Sequence, residues 1–175
     1  WMAPAFLVAT FLMGGGARHF NPPAAELPRC SALLHGIALS YDVRSYRTTL
    51  SLKSVRRGAA LYVTRQARHL VTDDCFLILN QDQEYALEFQ GPATTETICP
   101  FFQPGFMEHA AGCLSRPTSK QLDEIAGTTT ATCFYERLYP KTGPVATILN
   151  RLSRGSRTTR MCRPWLEDQF HDDHF

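Results

Sequence analysis

From roughly residue 36 to residue 102, apolar and polar positions alternate in short runs separated by turn-forming residues. Leu50 and Leu52 alternate with Ser51 and Lys53, Leu61 and Val63 with Tyr62 and Thr64, and Tyr85, Leu87 and Phe89 with Ala86, Glu88 and Gln90. Successive side chains of a strand point to opposite faces, so each run predicts one face on a core and one toward solvent. The stretch "FLILNQDQEYALEF", residues 76–89, reads as strand, turn, strand. Turns are expected at "RRG" ending at Gly58, "TDD" ending at Asp74, "NQDQ" starting at Asn80 and "QGP" ending at Pro92. Many short strands at this spacing predict a sandwich or barrel.

Past residue 102 the period lengthens. "PGFMEHAAGCL" puts Phe106, Met107, Ala110, Ala111 and Leu114 on one stripe behind a proline, which predicts a short helix. "TCFYERLYP" predicts one more strand, ended by Pro140. In "GPVATILNRLSRG", Val145, Ile148, Leu149 and Leu152 keep helical register, with proline near the start and Gly155 just past the expected end. Another helix is expected after Pro164, with Trp165, Leu166, Gln169 and Phe170 on one side, and the chain stops inside it. The organisation read from this pattern is an extension or arm over 1–30, a β domain over 31–140 and a helical region over 141–175.

The totals narrow the classes. At 175 residues, 44% hydrophobic and 19% charged, the chain describes one ordinary globular domain with a short appendage. A net charge of +2 argues against a whole-surface nucleic-acid binder. Cys30, Cys75, Cys99, Cys113, Cys133 and Cys162 form no CxxC pair, so a zinc knuckle is excluded and reduced thiols are expected. "AFLVATFLM", Ala5 to Met13, is too short to span a bilayer. It resembles a signal-peptide core, but no Lys or Arg precedes it, and the favoured reading is an extension or an arm packed on a neighbouring surface.

Candidate chemistry comes from the barrel spacing. Cupin-type barrels aim histidines at a metal from two sequence boxes. The second box, started at Asp74, lands on Asn80, Asp82, Tyr85 and Phe89, so a phenol stands at the ligand position. The first, started at Gly58, lands on Thr64 and Gln66, then Leu70 or Val71. A divalent metal in such a site takes imidazoles and a carboxylate, which Thr, Gln and Tyr do not replace. The expected product is a mainly β, cupin-like jelly-roll barrel followed by carboxy-terminal α-helices, with no metal and no cofactor. Among the histidines, His69 is read either as an inward hydrogen-bonding group or as a rim histidine, and His109 as exposed. "HDDHF" with His171 and His174 is a solvated helix face rather than a metal tail, and His19 and His35 carry no signal. Glu84 and Glu88 share an outward face, Phe101, Phe102 and Phe106 read as core, and the arginines from Arg151 to Arg163 recur every third residue as a solvated linker.

The run "LSLKSVRRGAALYVTRQARHLVTDDCFLILNQDQEYALEF", then "TICPFFQPGF" and "FYERLYP", resembles the amino-terminal part of AraC-type bacterial transcription regulators, over roughly residues 36 to 170. The resemblance implies a cupin-like effector-sensing and dimerising domain in the cytoplasm, without enzymatic activity. It also implies that DNA is reached only through helix-turn-helix motifs that these residues do not include. Thr64, Gln66, His69 and Tyr85 are the expected ligand-binding groups in a mostly apolar cavity, with Cys99 on its wall. The partners implied are an unidentified small-molecule effector and a second copy of the chain, with no membrane. Val145, Ile148, Leu149 and Leu152 either pair with their copies in a homodimer or cover their own barrel. The rivals are a metal-dependent cupin enzyme of the dioxygenase or isomerase type, using His69, His109 and a carboxylate, and a pure oligomerisation module with a filled barrel.

Overall fold

One long strand carries the sheet. In the computed structural model, which describes residues 6–12, 31–47, 49–115 and 132–157, strand β7 (Glu84–Phe101) pairs antiparallel with β2 (Ser31–Arg47) along both their lengths. The other edge of β7 is shared. β3 (Ser51–Arg57) takes its carboxy-terminal half, and β4 (Ala60–Thr64) takes its amino-terminal half. β4 pairs with β5 (Arg68–Val71), β3 with β6 (Cys75–Leu79), and β6 with the short β8 (Leu138–Pro140). β1 (Phe6–Leu12) adds a parallel strand to the outer edge of β2, from the segment that includes the apolar run near the amino terminus. The sheet is a nearly closed barrel.

The inward face follows the period of two. Ala32, Leu34 and Ala38 of β2, Val55 of β3, Tyr62 of β4, Val71 of β5, Leu77 and Leu79 of β6, and Tyr85, Leu87, Phe89, Cys99 and Phe101 of β7 form one buried core. Burying this apolar surface drives closure, at about 25 cal/mol per Å² removed from water.

The structure departs from the sequence expectations at four places in the sheet. No turn interrupts β7 at Gly91 and Pro92; residues 91–94 stand instead opposite the single Leu39, between the pairs Ser40↔Gln90 and Ala38↔Thr95. That bulge absorbs the proline, whose missing N–H needs no ladder partner there. The run at 50–53 is inverted: Ser51 (0% exposed) and Lys53 (1%) are buried in the barrel, and Leu52 is half-buried on the outer side. Likewise Ala60 and Tyr62, and not Leu61 or Val63, are the fully buried residues of β4. The predicted strand over 132–140 is regular only at Leu138–Pro140.

Helix α1 (Phe106–Ser115) follows Gly105, whose φ of +83° suits glycine at the entry. α2 (Gly143–Arg157) runs past Gly155, where an end had been expected. Its stripe lies on the outer face of the sheet: Leu149 and Leu152 pack with Leu33 and Ile98, flanked by Val145, Ile148 and Leu52. Within one chain, then, the helix covers its own barrel, and Leu152 has no exposed surface left. On that same face His35 Nε2 pairs with Glu96 Oε1 at 2.9 Å, and Arg56 Nη1 donates to Glu96 Oε1 at 3.2 Å. The helix expected after Pro164, along with His19, His171 and His174, lies outside the described residues.

Gly58 makes the β3–β4 turn at φ +84°, and a Cβ there would sit 2.6 Å from Thr95 Oγ1. Gly58→Ala combines a left-handed backbone with that overlap, and should lower stability by about 2 kcal/mol. Chemical denaturation of the two proteins checks it, and equal midpoints would contradict this account of the turn.

Candidate functional site

Four of the five expected ligand-binding residues lie at inward strand positions. Thr64 shares the inner face of β4 with Tyr62, and His69 shares that of β5 with Val71. Tyr85 and Cys99 belong to the core itself. Gln66 stands in the turn between β4 and β5 and is exposed. The five divide into two levels, one at the barrel rim and one in its interior.

The rim level is organised by Glu136, which the sequence reading did not single out. Its carboxylate accepts hydrogen bonds from the Thr64 hydroxyl and the Gln83 amide, and His69 Nε2 lies 2.8 Å from Oε1. Two residues earlier, Asn80 holds the backbone of Phe134 in both directions: its Nδ2 donates to the carbonyl at 2.9 Å, and its Oδ1 accepts from the amide at 2.8 Å. The stretch from Phe134 to Glu136 is thereby strapped to the β4–β5 and β6–β7 turns. A cavity of about 520 Å³ opens beside it, lined by Arg65, Gln66, Gln83, Glu84, Tyr135 and Glu136 among others. The "NQDQ" turn supports this arrangement through Asp82, whose φ of +61° is a left-handed conformation that Asp tolerates. On the cavity wall, Glu84 accepts from the Ser45 hydroxyl at 2.5 Å and from Arg47 at 3.0 Å, contacts that hold its carboxyl below the usual carboxylate range.

The interior level centres on Lys53. Its ammonium donates to the Tyr85 hydroxyl at 3.0 Å and lies 3.9 Å from the centre of the Phe101 ring. Among the described residues no carboxylate pairs with it. Burial holds its pKa down to about 8, from an ordinary 10.5. Tyr62 stacks obliquely on Tyr85, with ring centres 5.9 Å apart, and its hydroxyl lies 3.9 Å from Cys99 Sγ. Burial, then the neighbouring Cys99, pushes the Tyr62 phenol well up. Two positions along the inner face of β3 from Lys53, the buried Ser51 hydroxyl has no hydrogen-bond partner among the described residues, and neither does that of Thr49. An unsatisfied buried hydroxyl costs about 1–3 kcal/mol.

The sequence reading had put Ser51 and Lys53 in alternation with leucines taken as the core face. The one signal that points the other way is Val55, which continues their parity. Of the two outward carboxylates, Glu88 is exposed as expected, with Arg68 at 3.7 Å, whereas Glu84 is half-buried on the cavity wall. His109 is exposed, Phe101 is core, and Phe102 stacks half-buried on Phe106. Cys75, Cys99 and Cys133 are free. Among the described residues no three His, Cys, Asp or Glu side chains converge as a metal would need, and no helix is long and apolar enough to cross a membrane.

Lys53 gives stability a pH signature. Below pH 8 the lysine is charged in both states, and the folded state carries the cost of burying it. Between pH 8 and 10.5 the unfolded chain holds the proton and the folded chain has lost it, so stability rises with pH across that window. Relative to Lys53→Met, the wild type should gain roughly 3 kcal/mol from pH 8 to 10.5. Urea unfolding at both pH values measures the difference, and parallel curves would refute the buried ammonium. At the rim, Glu136→Ala leaves three polar side chains without their acceptor and should cost about 1–3 kcal/mol. In hydrogen exchange, the amide of Phe134 should then lose protection while the β2–β7 ladder keeps its own.

No family model and no curated protein matches the chain. Among solved structures it is similar to ToxT from Vibrio cholerae, with 10% identity over 80% of this chain and 52% of that one, at a TM-score of 0.44. An apo ToxT variant from the same organism gives 10% identity over 80% and 53%, with a TM-score of 0.48. ToxT bound to (E)-4-(8-methylnaphthalen-1-yl)but-3-enoic acid gives 9% over 80% and 54%, with a TM-score of 0.45. The chain spans about half the length of these structures. By the path of its own sheet, the chain is a mainly β, cupin-like barrel with carboxy-terminal helices.

Proposed function

We propose that this barrel is the effector-sensing domain of an AraC-type transcription regulator, binding a small molecule without metal and without catalysing a reaction on it. The observation that carries the proposal is Lys53, a buried cation between Tyr85 and Phe101 whose strand also holds the unpartnered hydroxyl of Ser51. Polar groups that have few partners among the described residues, inside an apolar barrel, suit a ligand with acceptor atoms. The phrases "FLILNQDQEY", "CPFFQPGF" and "FYERLYP" support the regulator reading by resemblance. Thr64, Gln66 and His69 would then meet the effector at the rim, and Tyr85 and Cys99 would meet it deeper in the barrel.

The signal would leave through β3. Its inner face carries Lys53, while its outer residue Leu52 touches the α2 cluster and Arg56 reaches Glu96. Ahead of α2, Lys141 Nζ donates to the Val55 carbonyl at 2.5 Å. An effector that fits one placement of β3 better than another would shift the population of α2 positions, and differential affinity would set the size of the shift. A homodimer would draw on the half-buried Val145 and Ile148, because Leu149 and Leu152 are spent on the barrel. DNA would be recognised by a separate helix-turn-helix unit, in the cytoplasm.

Native mass spectrometry of the purified chain tests the reading. The expected result is a dimer free of metal, with or without an added organic mass. A monomer carrying one metal ion per chain would transfer the case to a cupin enzyme. Once a ligand is in hand at a hundred times its Kd, it should stabilise the wild type by about 2.7 kcal/mol and Lys53→Met far less.

A further inference from the structure

The chain's basic residues are nearly all arginines; its lysines are Lys53, Lys120 and Lys141. Arginine stays protonated in proteins, whereas lysine is the basic side chain that burial can make neutral and nucleophilic. Among the described residues, a lysine and no arginine is buried inside the barrel: Lys53 has no carboxylate partner there, has a phenol at 3.0 Å, and shares its face with the Ser51 hydroxyl, which has no hydrogen-bond partner among them. The other described lysine, Lys141, is already engaged with the Val55 carbonyl.

We propose that Lys53 captures a carbonyl-bearing effector, an aldehyde or ketone with an apolar or aromatic body, as a reversible imine. The proposal rests on the sensing role argued above and names the ligand class. The neutral amine nitrogen attacks the carbonyl carbon, a C–N bond forms, and the carbonyl oxygen takes up a proton as the nitrogen gives one up. The C–O bond of the resulting carbinolamine then breaks, the oxygen departs as water, and C=N replaces C=O. One carbonyl compound and one amine give one imine and one water, and nothing is oxidised or reduced. The Tyr85 hydroxyl is placed to pass the proton from nitrogen to oxygen, and Ser51 offers a donor to that oxygen.

The surroundings favour the product. Tyr85 and Phe101 lie against the amine, Leu77 is the cross-strand neighbour of Lys53 and Tyr62 packs on Tyr85, apolar surroundings that keep water from hydrolysing an imine. With its pKa near 8, about half of Lys53 is neutral at pH 8, against less than about 1% for an ordinary lysine.

The test is reductive trapping on the full chain at pH 8 with benzaldehyde or hexanal and cyanoborohydride, followed by intact mass and peptide mapping. One alkyl group per chain is expected on Lys53, forming at least ten times faster than on Lys120 or Lys141. Lys53→Arg and Lys53→Met should lose that adduct, and Tyr85→Phe should slow it about a hundredfold. Labelling of Lys120 and Lys141 alone, or at rates equal to Lys53, overturns the proposal. Mapping of the wild type decides this even if a variant fails to fold. Melting curves with benzaldehyde and benzoate run alongside: stabilisation by either without an adduct on Lys53 overturns covalent capture and leaves the sensing role standing.

Discussion

The structure depends on burying two faces of one piece of sheet. Where β2, β7 and β3 lie side by side, the inner face closes the barrel and the outer face receives α2. Leu34, Cys99 and Val55 point one way while Leu33, Ile98 and Leu52 point the other. A single residue of slip in any of these strands would exchange the two sets and spoil the packing on both faces, so the register is strongly held. The bulge opposite Leu39 accommodates extra length in β7 and switches the inward positions of β2 from Ala38 to Tyr41 while those of β7 stay odd-numbered.

Against that apolar frame the polar groups separate by location. On the outer face, His35 (1% exposed) and Glu96 (2%) satisfy each other, with Arg56 closing the set toward solvent. Inside, among the described residues, Lys53 has the Tyr85 hydroxyl, two aromatic ring faces and the neighbouring Cys99 to offset its desolvation. A desolvated cation–π contact is worth about 2 kcal/mol, less than the several kcal/mol that burying an ammonium costs. That imbalance distinguishes the interior lysine from the paired charges elsewhere. It is also why the functional reading centres on β3, the strand that presents Lys53 inward and Arg56 outward.

The rim is built by residues far apart in sequence. Thr64, His69 and Gln83 come from three separate segments of the barrel, and the acceptor that joins them, Glu136, arrives from the segment that precedes α2. The same segment continues through β8 to Lys141, whose amide donates to the Asp74 carbonyl. The barrel mouth and the start of the helix are therefore tied to one stretch of chain.

The sequence by itself determined the class of the fold, the inward face of "YALEF", the turns at Gly58 and Asn80, and the stripe of α2, because each depends on local periodicity or on the conformations a residue tolerates. It also named Thr64 and Tyr85 from box spacing, and folding sets both, with His69 and Cys99, at inward positions. Three things were decided only by tertiary structure. Whether Leu52 or Lys53 faces the barrel is not written in "SLKSV", since a strand covered on both sides has no solvent face to reveal its polarity. The unbroken course of β7 through Gly91 and Pro92 depended on a neighbouring strand able to take up a bulge. Glu136 became a hub only when folding placed it over turns more than fifty residues away, a long-range pairing that no local pattern encodes.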